Sequence, residues 1–251
     1  MGGGLCPPEN DTKNATLAFI HIRKTGGTAI VKLVESFKVR LPTLQGYRGA
    51  TLDAPRHHRA SELQKDRFLE TTHRSEEGSG YHLPPKFFDP YPFANTATFV
   101  VTRDPYDRAI SEYYQRLKAV TLAEWEPEFD AHVWKDFDGH HRNDADRMNR
   151  WIQEFVAHPF QDAHIPQHHY IWDDGGNRLV THVLEFARLS EELNALLACY
   201  AIPLTLPDKP VNPRLQGSDL TRSNLTGESI RTINTVLQQD FELLGYPMME
   251  I

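Results

Sequence analysis

Two cations, Arg23 and Lys24, stand directly before Thr25, Gly26, Gly27 and Thr28 in the stretch "FIHIRKTGGTAIVKL". An apolar run stops at the cations, and an apolar-periodic run begins again after Thr28. Glycines at a strand-to-helix turn let backbone N–H groups approach an oxyanion with no Cβ in the way, and the helix start adds partial positive charge. With the two cations and the Thr25 and Thr28 hydroxyls alongside, these residues compose a cradle for phosphate or sulfate. It is not the GxxxxGK[ST] loop of nucleoside triphosphatases, because here the lysine precedes the glycines. On the anion chemistry alone, an ordinary Gly-rich connection with solvated cations competes with it.

A second stretch, "ATFVVTRDPYDRAISEYYQRL", repeats the logic. Arg103 ends an apolar, β-branched run, and Pro105 suits the first turn of a helix because its missing N–H is not needed there. Arg108 and Ser111 then fall three apart, on one helix face. An arginine at the carboxyl end of a strand, with a serine hydroxyl, makes a geometrically selective site for a terminal phosphate. The competing reading pairs Asp104 and Asp107 with Arg103 and Arg108. Two anion sites on successive strand-to-helix turns point to one ligand with two separated anionic groups.

The elements that must position these residues follow from periodicity. Thr16–Ile22 reads as a buried strand and Thr28–Lys38 as a helix; Ala97–Thr102 reads as a second strand, followed by a helix bearing Ile110, Tyr113, Tyr114 and Leu117. Ser61–Glu70 has a helical pattern, with a short strand expected over Phe68–Thr72. Met148, Trp151, Ile152, Phe155 and Val156 mark an amphipathic helix. "DDGGN" at Asp173–Asn177 is a turn signal before the strand-like "RLVTHVLEF". Glu191–Tyr200 and Gly227–Leu244 complete the helices, the last with Ile230, Ile233, Leu237, Phe241 and Leu244 on one face. Strands alternating with helices predict an α/β fold with a central, mainly parallel sheet flanked by helices. Pro- and Gly-bearing crossings at Leu41–Arg59 and Gly78–Pro92, with Thr121–Arg142, are the segments expected to line a substrate cleft.

Bulk properties narrow the function. The 251 residues are 39% hydrophobic and 24% charged, which suits one domain with a sizeable core. Residues 1–14 read as a disordered tail and 15–251 as a single domain. Net charge is -7, from 27 Lys+Arg against 34 Asp+Glu, which argues against a nucleic-acid partner or a long polyanion while permitting one basic pocket. No apolar run is long enough for a membrane span, so the chain is expected to be soluble as given, and cytoplasmic; a Golgi lumenal origin holds if an anchor has been removed. Cys6 and Cys199 cannot form a disulfide framework and read as a stray thiol and a small core residue. Oligomeric state is not legible.

"HIRKTGGT" resembles the 5′-phosphosulfate loop of sulfotransferases that use 3′-phosphoadenosine 5′-phosphosulfate (PAPS), whose membrane-lineage members carry HxPKTGGT. "TRDPYDRAISEYY" is similar to their 3′-phosphate motif, RDPxxRxxSxYY. "IPQHHYIWDDGG", "THVLEFARLSEELNALL", "VNPR" and "QQDFELLGY" follow in the same order, so the resemblance spans Thr16 to Tyr246. It is closest to the carbohydrate sulfotransferase branch, family 2, which includes the heparan-sulfate 2-O-sulfotransferases. The resemblance implies a P-loop-like sulfotransferase fold and transfer of a sulfuryl group from PAPS to a hydroxyl of a carbohydrate or small metabolite. The product would be 3′,5′-adenosine bisphosphate (PAP). It implies that Lys24 stabilises the leaving group, that Thr25, Gly26, Gly27 and Thr28 hold the 5′-phosphate, and that Arg103 and Ser111 bind the 3′-phosphate. Arg23 departs from the family, which has proline there, and adds a cation to the cofactor loop.

The acceptor hydroxyl must lose a proton, for which a histidine or a carboxylate is the natural base. His73 is the first candidate because the carbohydrate branch often places its basic histidine between the two cofactor motifs; His82, then His57 and His58, follow it. His21 is placed to orient the loop rather than to catalyse. The adjacent pairs His57–His58, His140–His141 and His168–His169 diverge on either a strand or a helix, and there is no HExxH, so no metal is expected. Trp125, Trp134, Trp151 and Trp172 could stack on a sugar, with core packing the better reading for Trp151. The competing function is a nucleotide-binding protein without turnover, although such a protein has no need of Lys24. A kinase-like phosphotransferase lacks both a Walker lysine and an evident magnesium carboxylate.

Overall fold

The structure is a computed structural model. It describes residues 17–36, 84–87, 97–121, 131–135, 143–157, 165–208 and 219–251. The candidate bases His57, His58, His73 and His82 lie outside these residues, as do the helix and strand expected over 61–72. The chain divides into two compact units, Met1–Thr102 with Gln167–Asn212, and Arg103–Pro166 with Pro213–Ile251. Each has its own apolar core.

The first unit is α/β, with a parallel sheet flanked by helices, consistent with the P-loop-like sulfotransferase fold. Strands β1 (Leu17–Ile20), β2 (Ala97–Thr102) and β3 (His182–Glu185) pair in the order β1-β2-β3, both pairs parallel. The register sets Leu17 beside Ala97, and Phe99 beside His182. Every residue of β1 is buried, as a strand covered on both faces requires. Parallel strands need crossover connections, and α1 (Gly27–Ser36) begins the one leaving β1. Leu17, Phe19, Phe99, Val101 and Leu184 meet Leu193, Leu196 and Leu197 of the helix Leu189–Cys199 in one core. Cys199 packs half-buried against that core, as expected of a small apolar residue. The "DDGGN" turn forms as its residues dictate: Asp173 Oδ1 accepts from the N–H groups of Gly175 (2.9 Å) and Asn177 (2.8 Å), and Gly176 takes φ 79°.

The second unit is helical among its described residues. Helix α2 (Pro105–Thr121) starts at the proline, as expected, with Asp104 Oδ1 accepting from Tyr106 N at 2.9 Å. The short helix α3 is Ala131–Trp134, and α4 is Ala145–Phe155 with Asp144 as its N-cap. In the first unit follow α5 (His168–Ile171) and α6, the helix Leu189–Cys199. The helix expected over Gly227–Leu244 is two in the second unit, α7 (Gly227–Val236) and α8 (Gln238–Leu244). Leu237 between them leaves helical geometry at φ -106°, ψ 22°. Its N–H still reaches Ile233 O (2.9 Å) and its carbonyl accepts from Phe241 N (3.2 Å), so the apolar stripe stays on one side. Ile230, Ile233, Leu237 and Phe241 are buried in a core with Tyr113, Trp134, Trp151 and Phe155. Trp134 and Trp151 are therefore core residues rather than a stacking platform.

Candidate active site

Chain geometry puts the cation-glycine turn directly at the carboxyl end of β1, the end at which open α/β sheets bind ligands. Ile22 is fully buried and anchors the chain leaving the strand. The backbone then turns through Lys24 at φ 64° and Gly26 at φ 93°, both in the left-handed region. Gly26 is suited to that region; for Lys24 it is a strained conformation held by its surroundings. The Thr25 hydroxyl closes the turn by donating to Ile22 O at 2.8 Å, and Thr25 is fully buried. Its side chain thus shapes the loop from inside, while Thr28 is exposed. The helix start is set by Ala29 N donating to Gly26 O at 2.9 Å.

The loop has no slack. A Cβ on Gly26 would sit 2.8 Å from Leu189 Cδ2 and 3.0 Å from the Phe186 ring. A Cβ on Gly27 would sit 2.0 Å from His21 Cδ2 and Nε2. The His21 ring in turn stacks on Phe19, centroids 5.5 Å apart. Burial first, then the charges of Arg23 and Lys24, lower the His21 pKa to about 4. His21 is therefore neutral at neutral pH and packs as a flat wedge against the helix start at Gly27. Sequence reading missed Phe186 and Leu189, which lie some 160 residues from the loop and signal only as ordinary apolar positions.

In the second unit, Arg103 directly follows β2 in the chain, and Ser111 is half-buried on α2. Arg108 is fully buried, and its Nη2 donates to Ile165 O at 3.0 Å, so it braces the unit from within. Asp104 and Asp107 both hold Arg222, a residue sequence reading did not single out. Burial raises the Asp104 pKa, and Arg222 opposes that rise.

Elsewhere in the first unit, Lys86 Nζ donates to His169 Nδ1 and to Asp174 Oδ1, each at 2.7 Å. An ammonium has no lone pair, so His169 accepts here and carries its own proton on Nε2. The His168 and His169 rings are 4.0 Å apart but tilted by 45°. Among the described residues no group of three or more His, Cys, Asp or Glu side chains converges as a metal site. Among them, too, no helix is long and apolar enough to cross a membrane.

The lysine-bearing glycine turn thus leads from a parallel strand straight into a helix. The model of the sulfotransferase family matches residues 11–247, nearly the whole chain. The chain belongs to the sulfotransferase family. Neither the comparison with curated proteins nor that with solved structures gives a match. Membership assigns sulfuryl transfer in general, with a hydroxyl-bearing acceptor, as the chemistry of this sulfotransferase.

Proposed function

We propose that the chain transfers the sulfuryl group of PAPS, in line, to a hydroxyl of a carbohydrate or small metabolite, releasing PAP. The observation that carries this reading is the turn itself: Lys24 in the left-handed region, then Gly26 at φ 93°, leading into α1. Phe186, Leu189 and His21 leave that turn no room to relax, so it fits a donor that needs a rigid anion cradle. When bound, the donor supplies the activated sulfuryl group. The Lys24 ammonium neutralises charge building on the leaving phosphate, and the Thr25–Thr28 backbone orients the 5′-phosphate, with Arg23 adding positive potential. Arg103 and Ser111 take the 3′-phosphate, the guanidinium by its forked geometry.

His73 is assigned as the base that accepts the hydroxyl proton, on motif order alone, ahead of His82, His57 and His58. The acidic and aromatic stretch "LAEWEPEFDAHVWKDFDGHH" suits a neutral sugar or a cationic small molecule rather than a polyanionic glycan. The test is incubation of the purified chain with sulfur-labelled PAPS and a panel of neutral sugars, amino sugars and hydroxylated metabolites. Label is expected in an acceptor with wild type and not with Lys24→Ala. If PAP raises the melting temperature but no acceptor takes label, the chain is a nucleotide binder without turnover.

A further inference from the structure

Arg222 grips the start of α2. Its Nε donates to Asp107 Oδ1 at 2.9 Å and its Nη2 to Asp107 Oδ2 at 2.7 Å, a two-pronged pair. Its Nη1 lies 3.2 Å from Asp104 Oδ2. The Asp104 carboxylate is thereby shared, one oxygen capping the helix through Tyr106 N and the other facing Arg222. The backbone bearing Arg222 is itself fixed. Within the turn Arg222–Asn224, Thr221 N donates to Asn224 Oδ1 at 2.9 Å. Asn149 of α4 donates to Asn224 O at 2.8 Å and accepts from Thr226 N at 2.9 Å. Leu220 and Leu225 on either side of the turn are buried.

Charge explains why such a grip is needed. Residues 103–108 hold Arg103 and Arg108 against Asp104 and Asp107. Arg108 is fully buried against the Ile165 carbonyl, so its charge is directed inward. Arg103 at the helix start stands next to two carboxylates, the buried Asp104 and the half-buried Asp107, an unfavourable setting for a phosphate dianion. Arg222 bonds both carboxylates and cancels the excess. We propose that Arg222 is a positioning residue for the 3′-phosphate: by neutralising Asp104 and Asp107 it leaves Arg103 and Ser111 able to take a dianionic phosphate. This rests on the function proposed above.

Calorimetric affinities for PAP and for adenosine 5′-monophosphate, which lacks the 3′-phosphate, test it in wild type, Asp107→Asn, Arg222→Gln and the double variant. Asp107→Asn removes a negative charge and is expected to tighten PAP about three- to tenfold with the monophosphate unchanged. Arg222→Gln is expected to weaken PAP about tenfold or more, again sparing the monophosphate, and Asp107→Asn in that background to restore most of the loss. A purely structural ion pair makes the opposite forecast, with Asp107→Asn weakening both ligands. That result, or an unchanged PAP-to-monophosphate ratio in Arg222→Gln, overturns the proposal. If Arg222→Gln does not fold, Asp107→Asn alone decides. Wild type that does not distinguish the two nucleotides refutes the 3′-phosphate site itself, a different failure visible before any variant is made.

Discussion

Gly27→Ala would place a methyl carbon 2.0 Å from two atoms of the His21 ring and 2.7 Å from a third. Ordinary carbon contacts lie near about 3.5–4.0 Å, so the ring must retreat by roughly 1.5–2 Å or leave its place. It cannot retreat without disturbing the Phe19 stack, centroids 5.5 Å apart, within a core strand. Overpacking of this kind costs about 3 kcal/mol at the upper end of the usual range. Alanine's smaller entropy loss in a helix returns roughly 0.5–1 kcal/mol, leaving a net loss of about 2 kcal/mol. For a chain of this size that is about 4–8 °C in melting temperature. The assay is a double-mutant cycle with His21→Ala, read by thermal melting. Removing the ring removes the clash, so Gly27→Ala in the His21→Ala background should be neutral or slightly stabilising, a coupling of about 2–3 kcal/mol. Equal destabilisation by Gly27→Ala in both backgrounds would refute the wedge role of His21.

Lys24 combines a strained backbone with the proposed chemistry, and the two separate by substitution. Lys24→Gly should stabilise the fold by about 1 kcal/mol, since glycine adopts φ 64° without strain, while abolishing transfer. Lys24→Ala should abolish transfer and only modestly weaken PAP binding; unchanged turnover in either variant refutes the role of the ammonium. Acid should destabilise the first unit through His21, whose pKa falls from 6.5 to about 4 on folding. Protonation then favours the unfolded chain, so stability is full above pH 6.5 and declines as pH drops toward 4, by up to about 3 kcal/mol. His21→Gln should flatten that decline in a urea titration series, and an unaltered slope would show that another group governs it.

Local signals made most of the fold legible. β2 and α2 fall where a β-branched run followed by Pro105 places them, and Asp173–Asn177 turns as its side chains require. The stripe Ile230, Ile233, Leu237, Phe241 faces a core as its spacing demands, yet nothing local announced the break at Leu237. The cation-glycine turn was legible because glycines, cations and a helix start are contiguous. Its supports were not: Phe186 and Leu189 reach Gly26 from a distant part of the chain. Arg222 bonds Asp107 across 115 residues, and such a pair leaves no periodicity to detect. Thr25 shows the limit of reading residue type alone, since a hydroxyl expected at the anion closes the loop on Ile22 O instead.

Affinities of the wild-type chain for PAP, adenosine 5′-monophosphate and adenosine 3′-monophosphate, measured side by side by calorimetry, test the donor assignment most directly. Both phosphates contributing predicts PAP tighter than each monophosphate by about tenfold or more, a difference of about 1.4 kcal/mol per phosphate. PAP binding no more tightly than one of the monophosphates would contradict it.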